Sequence, residues 1–413
     1  MKKLKLSTQI LIGLAAGIIL GLLLQGAPDF AQKWIGPIGT FFLGFIRMII
    51  VPLVLSSLVV GTCGLGDAKK LGRIGGKTIL YYLCTTAFAV TIGVILANLS
   101  HVGAGINIPT DAKVTAAEIP SAANTILGLI PTNPAKSIVD GNMLQIIVFA
   151  IILGGGIMLL KSKSEPLFHF FDSLAEVCYK IIGVIMKFAP IGVFALITPV
   201  VAANGPKVLL PLLKVIIVVY IACILHATVV YSSVLKIFAN FSPIKFFKGL
   251  FPAMALAFTT SSSSGTLPVT MKCAEENLGV PKTISSFVLP LGATINMDGT
   301  AIYQGICALF VAQVYGIDLS FAQQVTIILM ATLASIGTAG VPSAGLIMLT
   351  MVLQSVGLPL EGVALVAGID RILDMIRTTV NITGDAVCSV IVAASEKSLN
   401  RDILKQSKPT IAG

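Results

Sequence analysis

Apolar runs of about 20 residues, the length that carries a helix across a roughly 30 Å hydrocarbon layer, recur along the chain. They lie near 8–25, 37–62, 78–99, 123–160, 172–200, 207–236, 284–314 and 360–394. The pattern predicts an all-α polytopic membrane protein with eight transmembrane helices. The run 123–160 is too long for one crossing, and Pro131, Pro134 and Gly141 inside it predict a kinked or segmented element.

Two further stretches, 246–272 and 323–356, are interrupted by polar tips containing Gly and Pro: Thr259 to Pro268, with serines at 261–264, and Ser335 to Gly345. Backbone that leaves the helix at membrane depth is tolerated only where it is buried in protein or lines a polar cavity. Both tips therefore predict re-entrant helical hairpins. Ser and Gly also permit close helix packing, but four serines in a row exceed what packing requires. Two broken elements entering from opposite sides, each followed by a long helix, are the pattern of inverted repeats around a midplane binding site.

Basic clusters orient the chain, because cytoplasmic loops are enriched in Lys and Arg. The N-terminal cluster is Lys2, Lys3 and Lys5. After every second crossing another follows: Lys69, Lys70, Arg73 and Lys77; Lys161 and Lys163; Lys236, Lys245 and Lys248; and Lys397, Arg401, Lys405 and Lys408. Both termini are expected on the cytoplasmic side of a multi-pass protein of the cell membrane.

Composition narrows the class. Of 413 residues 56 % are apolar and 11 % charged, and the mean hydropathy is +0.97. Soluble domains carry about twice that charge, so a globular cytosolic enzyme is excluded. The net charge of +10 arises from small clusters between apolar runs, not from one basic face interleaved with aromatics, so nucleic acid is not the expected partner. Seven scattered cysteines, without Cys-x-x-Cys spacing, predict neither a disulfide nor a metal framework. His101, His169 and His226 lie far apart and read as packing or interfacial residues. No convincing cleavage site follows 11–24, which reads as a first membrane helix.

The polar residues of the last run carry the chemistry. At about 100° per residue, Asp374, Arg377, Asn381 and Asp385 fall roughly 40°, −20°, 20° and 60° from Asp370, forming one seam. Charge at membrane depth is costly and functional by default; a structural ion-pair ladder is the plainer alternative. Arg377 offers a planar fork that matches a carboxylate, and Asp374 suits an ammonium. An acidic amino acid is the natural guest. In the seventh run, Asn296-Met297-Asp298-Gly299-Thr300 forms an oxygen-rich block in which Asp298 must be neutral, paired or cation-bound. Hard cations such as sodium favour such oxygen ligands. Asn381 and Asp385 supply material for a second cation site, and Tyr82, Thr85 and Thr86 add oxygen at mid-depth.

The Ser-Ser-Ser-Gly-Thr-Leu-Pro tip, Asn-Met-Asp-Gly-Thr, Gly-Thr-Ala-Gly-Val-Pro and the run Asp374 to Asp385 together resemble the dicarboxylate/amino acid:cation symporter family, from end to end and in motif order. That resemblance implies sodium-coupled symport of L-aspartate or L-glutamate by a homotrimer. Ser261, Ser262 and Ser263 of the first tip and Val341 and Gly345 of the second would enclose the substrate. Thr300 and Arg377 would hold its side-chain carboxylate, Asp374 its ammonium and Asn381 its main carboxylate, with Thr378 beside them. Up to three sodium ions are implied: one among Gly292, Asn296, Asn381 and Asp385, one on Thr294, Ser335, Ile336 and Thr338, and one on Tyr82, Thr85, Thr86, Asn296 and Asp298. Residues 1–77 and 101–206 would form a trimeric scaffold. Residues 78–100 and 207–396 would form a transport domain that moves as an elevator with the second hairpin as gate, and 397–413 a cytoplasmic tail.

Three departures from the family pattern stand out. Archaeal members carry Arg where this chain has Ser261, and mammalian members carry it where this chain has Met375; Arg371 is the nearest candidate for the same compensating charge on Asp374 or Asp370. Proton-carrying members have Glu at the position of Gln304, so sodium coupling without that proton step is expected. Ser343 stands where archaeal members have Gly. Among other classes, a pure channel does not need the closed pair Arg377 and Asp374, and an intramembrane protease lacks a His near the serines. A neutral amino acid exchanger is disfavoured by Arg377.

Overall fold

The computed structural model describes residues 6–63, 72–104, 130–140, 142–336, 338, 340 and 344–401. These residues are helical apart from turns, and they include no strand. The main helices are α1 (Leu6–Leu23), α2 (Gly36–Cys63), α3 (Gly72–Ser100), α4 (Met143–Leu160), α5 (Glu165–Ile185), α6 (Ala189–Asn204), α7 (Leu209–Leu225) and α8 (Ser232–Ala239). They continue as α9 (Pro243–Thr260), α10 (Ser263–Glu276), α11 (Lys282–Ile295), α12 (Asp298–Val314), α13 (Phe321–Ser335), α14 (Ala344–Ser355), α15 (Gly362–Ala367) and α16 (Asp370–Ser395). Among the described residues Arg73–Ser100, Leu209–Ala239 and Asp370–Ser395 are long and apolar enough, by length and composition, to cross a membrane unbroken.

Several of the other apolar runs are broken, each for a local reason. The expected run 172–200 is two helices, α5 and α6, joined by a 3-10 turn at Met186–Phe188. Pro190 in the first turn of α6 cannot continue the preceding helix but suits a helix start. The run 207–236 bulges into a π-turn at His226–Tyr231, a local widening often found at functional sites. Residues 130–160 hold a short helix, Pro134–Asp140, ahead of α4; Gly141 and residues 105–129 lie outside the described residues. The run 360–394 is α15 followed by α16, which begins at Asp370.

Helices α1, α2, α4, α5 and α6 pack on one another, with α1 along α6 and α2 against α4, α5 and α6. Helices α3, α7, α8, α9, α10, α11 and α12 gather around α16, and α12 also lies along α3. Fewer contacts join the two groups, among them α14 on α2 and α4 and α15 on α6. Gly13, Gly17 and Gly21 form the face of α1 that meets α6; a Cβ at Gly17 would stand 2.9 Å from Phe194 O and one at Gly21 2.8 Å from Thr198 O. Such stripes let helix backbones approach where lipid gives no hydrophobic drive. Gly17→Val is therefore expected to force α1 off α6 at a cost of about 1–3 kcal/mol, read as a lowered unfolding temperature of the detergent-solubilised protein.

Just beyond α16, Glu396 accepts from Lys77 Nζ at 2.7 Å and from Arg73, tying the end of α16 to the start of α3. The Lys77 hydrogen bond, with that from Arg73, holds its carboxyl below the usual range.

Candidate functional site

Both sequence-predicted tips are helix breaks. α9 ends at Ser261, which sits in the left-handed region at φ 52°, and Ser262 caps α10 by accepting from Gly265 N–H at 3.0 Å. The break is thus two residues long, shorter than the polar stretch Thr259 to Pro268. The second break runs from the end of α13 to Ala344; Val341 and Ser343 lie outside the described residues, as do Gly337, Ala339 and Pro342. The tips touch: Gly340 O accepts from Ser262 Oγ at 2.9 Å and from Ser264 N–H at 3.2 Å. A Cβ on Gly340 would lie 2.8 Å from Ala293 O, so this tip also abuts the end of α11, beside Thr294. Ser261 Oγ is buried without a hydrogen-bond partner, and Ser263 is buried. Ser335 and Thr338 are buried, their hydroxyls returning to Thr332 O and Ala334 O, each at 2.7 Å; Thr338 N–H reaches Ser335 O at 3.4 Å, across Ile336. Thr294 donates to Leu291 O at 2.9 Å.

A third break separates α11 from α12 at Asn296 and Met297. Gly299 lies inside α12, where its missing side chain admits the backbone of Arg377. Its N–H donates to Asn381 Oδ1 at 2.8 Å, and Asn381 Nδ2 reaches Thr300 Oγ1 at 3.3 Å. Asn296 Nδ2 donates to Asp385 Oδ1 at 2.9 Å and to Asn381 O at 3.2 Å, while Asn296 Oδ1 is buried without a partner. A Cβ on Gly292 would run into both Asp385 Oδ1 and Tyr82 OH, so these groups converge on a cradle that only glycine leaves open. The orphaned Asn296 oxygen, this cradle and an all-oxygen ligand set suit a hard monovalent cation.

Asp298 is the other focus. Its Oδ1 accepts from Thr86 Oγ1 at 2.6 Å, and its Oδ2 accepts from Tyr231 OH at 2.7 Å and lies 3.2 Å from His226 Nε2. All four side chains are buried. Two hydroxyls thus donate to the carboxylate, and the His226 ring lies against it. Tyr82 OH donates to Val288 O at 3.0 Å and Thr85 Oγ1 to Tyr81 O at 3.1 Å, so Thr85 lies beside this focus and is turned to its own helix. Sequence reasoning missed Tyr231 and took His226 for packing, because their partner is about seventy residues away and reaches them only through the π-turn.

Arg377 completes the site. It is 0 % exposed, donating from Nη1 to Asp370 Oδ1 at 2.9 Å and from Nη2 to Asp374 Oδ1 at 2.7 Å, with its guanidinium carbon 4.0 Å from the Tyr303 ring centre. Asp370 sits in the first turn of α16, where the helix dipole favours an acid. Tyr303 carried no signal in an apolar run. Gly345 faces the guanidinium: a Cβ there would be 3.4 Å from Arg377 Cζ and 3.0 Å from Thr300 Cγ2. Thr378 is buried next along α16. Arg371 instead donates to the carbonyls of Thr260 at 3.3 Å and Thr259 at 3.5 Å, the last turn of α9, where a cation complements the helix dipole.

Charged and oxygen-bearing side chains assembled at three helix breaks inside an apolar helical protein define an ion-coupled membrane transporter. The chain belongs to the sodium:dicarboxylate symporter family, whose model matches residues 6–395. It is 41 % identical over 417 residues to the proton/sodium-glutamate symport protein of Geobacillus stearothermophilus, covering 98 % of each chain. It is 40 % identical over 416 residues to the proton/glutamate-aspartate symporter of Escherichia coli (strain K12), covering 97 % of this chain and 94 % of that one. Identity to the C4-dicarboxylate transport protein of Bacillus subtilis (strain 168) is 33 % over 403 residues, covering 96 % and 94 %. The protein is a membrane-embedded transporter, not an enzyme, and sodium is the co-transported ion that its family implies.

Proposed function

We propose that this protein couples sodium entry to uptake of L-aspartate or L-glutamate across the cell membrane. The observation that carries the reading is Arg377, buried with its fork on Asp370 and Asp374 and facing Gly345 and Thr300. The fork that these two carboxylates engage is the geometry a ligand carboxylate would use. A bound acidic amino acid takes the Arg377 fork, with Thr300 beside it, and offers its ammonium to the released Asp374. Asn381 and Thr378 receive the main carboxylate, and the Ser261–Ser263 tip and the Val341–Gly345 tip close over it. The 33 % relative named for C4-dicarboxylate transport raises a second substrate class, but a plain dicarboxylate brings no ammonium group to Asp374.

Coupling follows from charge. Four carboxyl groups, those of Asp298, Asp370, Asp374 and Asp385, stand against one guanidinium, and an acidic substrate adds a further surplus of negative charge. Sodium ions at up to three sites offset that surplus, so the partly loaded site is costly to move through lipid. The three sites are read as Gly292, Asn296, Asn381 and Asp385; Thr294, Ser335, Ile336 and Thr338; and Tyr82, Thr85, Thr86, Asn296 and Asp298. The packing of α3 and α7–α12 around α16 supports a transport body of residues 78–100 and 207–396 sliding against a scaffold of 1–77 and 101–206. The family resemblance supports a homotrimer, an elevator movement gated by the second hairpin, and cytoplasmic termini.

Proteoliposomes with an inward sodium gradient are expected to concentrate both amino acids. Because Gln304 cannot titrate, a proton gradient in sodium-free buffer is expected to drive none. Uptake under the proton gradient alone would refute the cation assignment, and no uptake under either gradient would refute the function.

A further inference from the structure

A cavity of about 640 Å³ opens on the outer face of the helices around α16, within the size range of small-ligand sites. One wall is the face of α3 that carries Lys77, Leu80, Cys84 and Phe88; the facing wall is the π-turn and α8 with Val229, Val230, Val234 and Phe238; Ile391 and Ser395 of α16 form the floor. Phe88, Leu80, Val229 and Phe238 are more than half exposed at the rim, so the cavity is a cleft reached from the hydrocarbon. Its lining is mostly apolar, with Thr85 and Ser233 on the walls and the charged groups at one end. There Lys77 contacts Glu396 and Ser395, and Arg73 joins Glu396, leaving two cations against one acid. Lys69 and Lys70 precede them in the sequence.

We infer that this cleft is a specific site for an anionic phospholipid, one acyl chain lying between α3 and the π-turn and the headgroup meeting Lys77 and Arg73. Charge complementarity names the occupant: an apolar slot alone takes any chain, but surplus basic charge at its mouth selects an anionic head. The site also has a route to the ions. The two walls carry, on their opposite sides, the groups that hold Asp298: Thr86 follows Thr85 on α3, and His226 and Tyr231 bound the π-turn that presents Val229 and Val230. A chain seated between the walls fixes their spacing, and with it the grip on Asp298. This consequence rests on the cation role proposed for Asp298; lipid binding itself does not.

Cys84 is exposed on the wall and supplies a reporter. In detergent, phosphatidylglycerol is expected to slow maleimide labelling of Cys84 in a variant that keeps only this cysteine, while phosphatidylcholine leaves the rate unchanged. Lys77→Gln is expected to weaken that protection about fivefold in lipid concentration. Val230→Trp, which fills the slot, is expected to abolish co-purifying phosphatidylglycerol in native mass spectrometry. In proteoliposomes, phosphatidylglycerol is expected to lower the sodium concentration for half-maximal uptake in the parent and not in Val230→Trp. Equal protection by the two lipids, or retention of phosphatidylglycerol by Val230→Trp, overturns the site. Lipid selectivity with an unmoved sodium dependence overturns only the link to Asp298.

Discussion

Replacing Arg377 with glutamine is expected to abolish uptake of aspartate and glutamate at micromolar concentrations while the protein still assembles. The guanidinium is wholly buried and has two carboxylate partners, so its loss acts in two ways. The substrate carboxylate would lose the cationic partner proposed for it, which costs on the order of a hundredfold or more in affinity for a desolvated charge pair. Asp370 and Asp374 lose the guanidinium they share, and breaking a buried pair costs about 3–5 kcal/mol. Glutamine keeps most of the packing against Tyr303 and still donates one hydrogen bond, so the helix should stand. Uptake of labelled aspartate, with a sodium-dependent thermal shift as the check on folding, separates the outcomes. Loss of aspartate uptake with the sodium-dependent thermal shift retained supports the carboxylate role. Unchanged aspartate affinity would refute it and make the seam a structural ladder.

The second large effect falls on Asp298. Asp298→Asn keeps the shape that Thr86, Tyr231 and His226 enclose and removes only the charge. A cation near that oxygen then loses a Coulomb partner worth about 4 kcal/mol at an effective dielectric of 20. Screening by the remaining oxygens leaves an expected rise of roughly a hundredfold in the sodium concentration for half-maximal uptake. Sodium titration in proteoliposomes checks this, and substrate affinity at saturating sodium is expected to move far less. A matching titration of Tyr231→Phe tests the donors: removing one hydrogen bond to the carboxylate is expected to shift sodium dependence by about tenfold, consistent with charged hydrogen bonds of 1.5–3 kcal/mol. Sodium dependence unchanged in Asp298→Asn would remove it from the ion path.

Much of this was legible in one dimension because the bilayer imposes one-dimensional rules. A charged residue in an apolar run must face protein, so Asp370, Asp374, Arg377, Asn381 and Asp385 could be placed on one seam from helical spacing alone. A polar, Gly-containing tip in a membrane-length run must be a break, and Ser261–Ser262 and Asn296–Met297 are breaks. Helix ends were less legible. Pro190 divides a run that hydropathy reads as continuous, and the polar stretch at 259–268 overstates a two-residue break, because serines and threonines also fit inside a helix when their hydroxyls return to the preceding turn, as Thr266 does to Ser262 O.

The sequence by itself determined the class of the protein, its all-helical character, the family and the side chains that carry charge into the apolar interior, since each of these follows from local composition and spacing. Only the tertiary structure decided the pairing: that Arg377 takes both Asp370 and Asp374, that Arg371 reaches the α9 carbonyls, that His226 and Tyr231 hold Asp298, and that the two polar breaks meet at Gly340. These are contacts between residues close in space and mostly remote in the chain. Their partners are chosen by how the helices cross, a property no single segment carries.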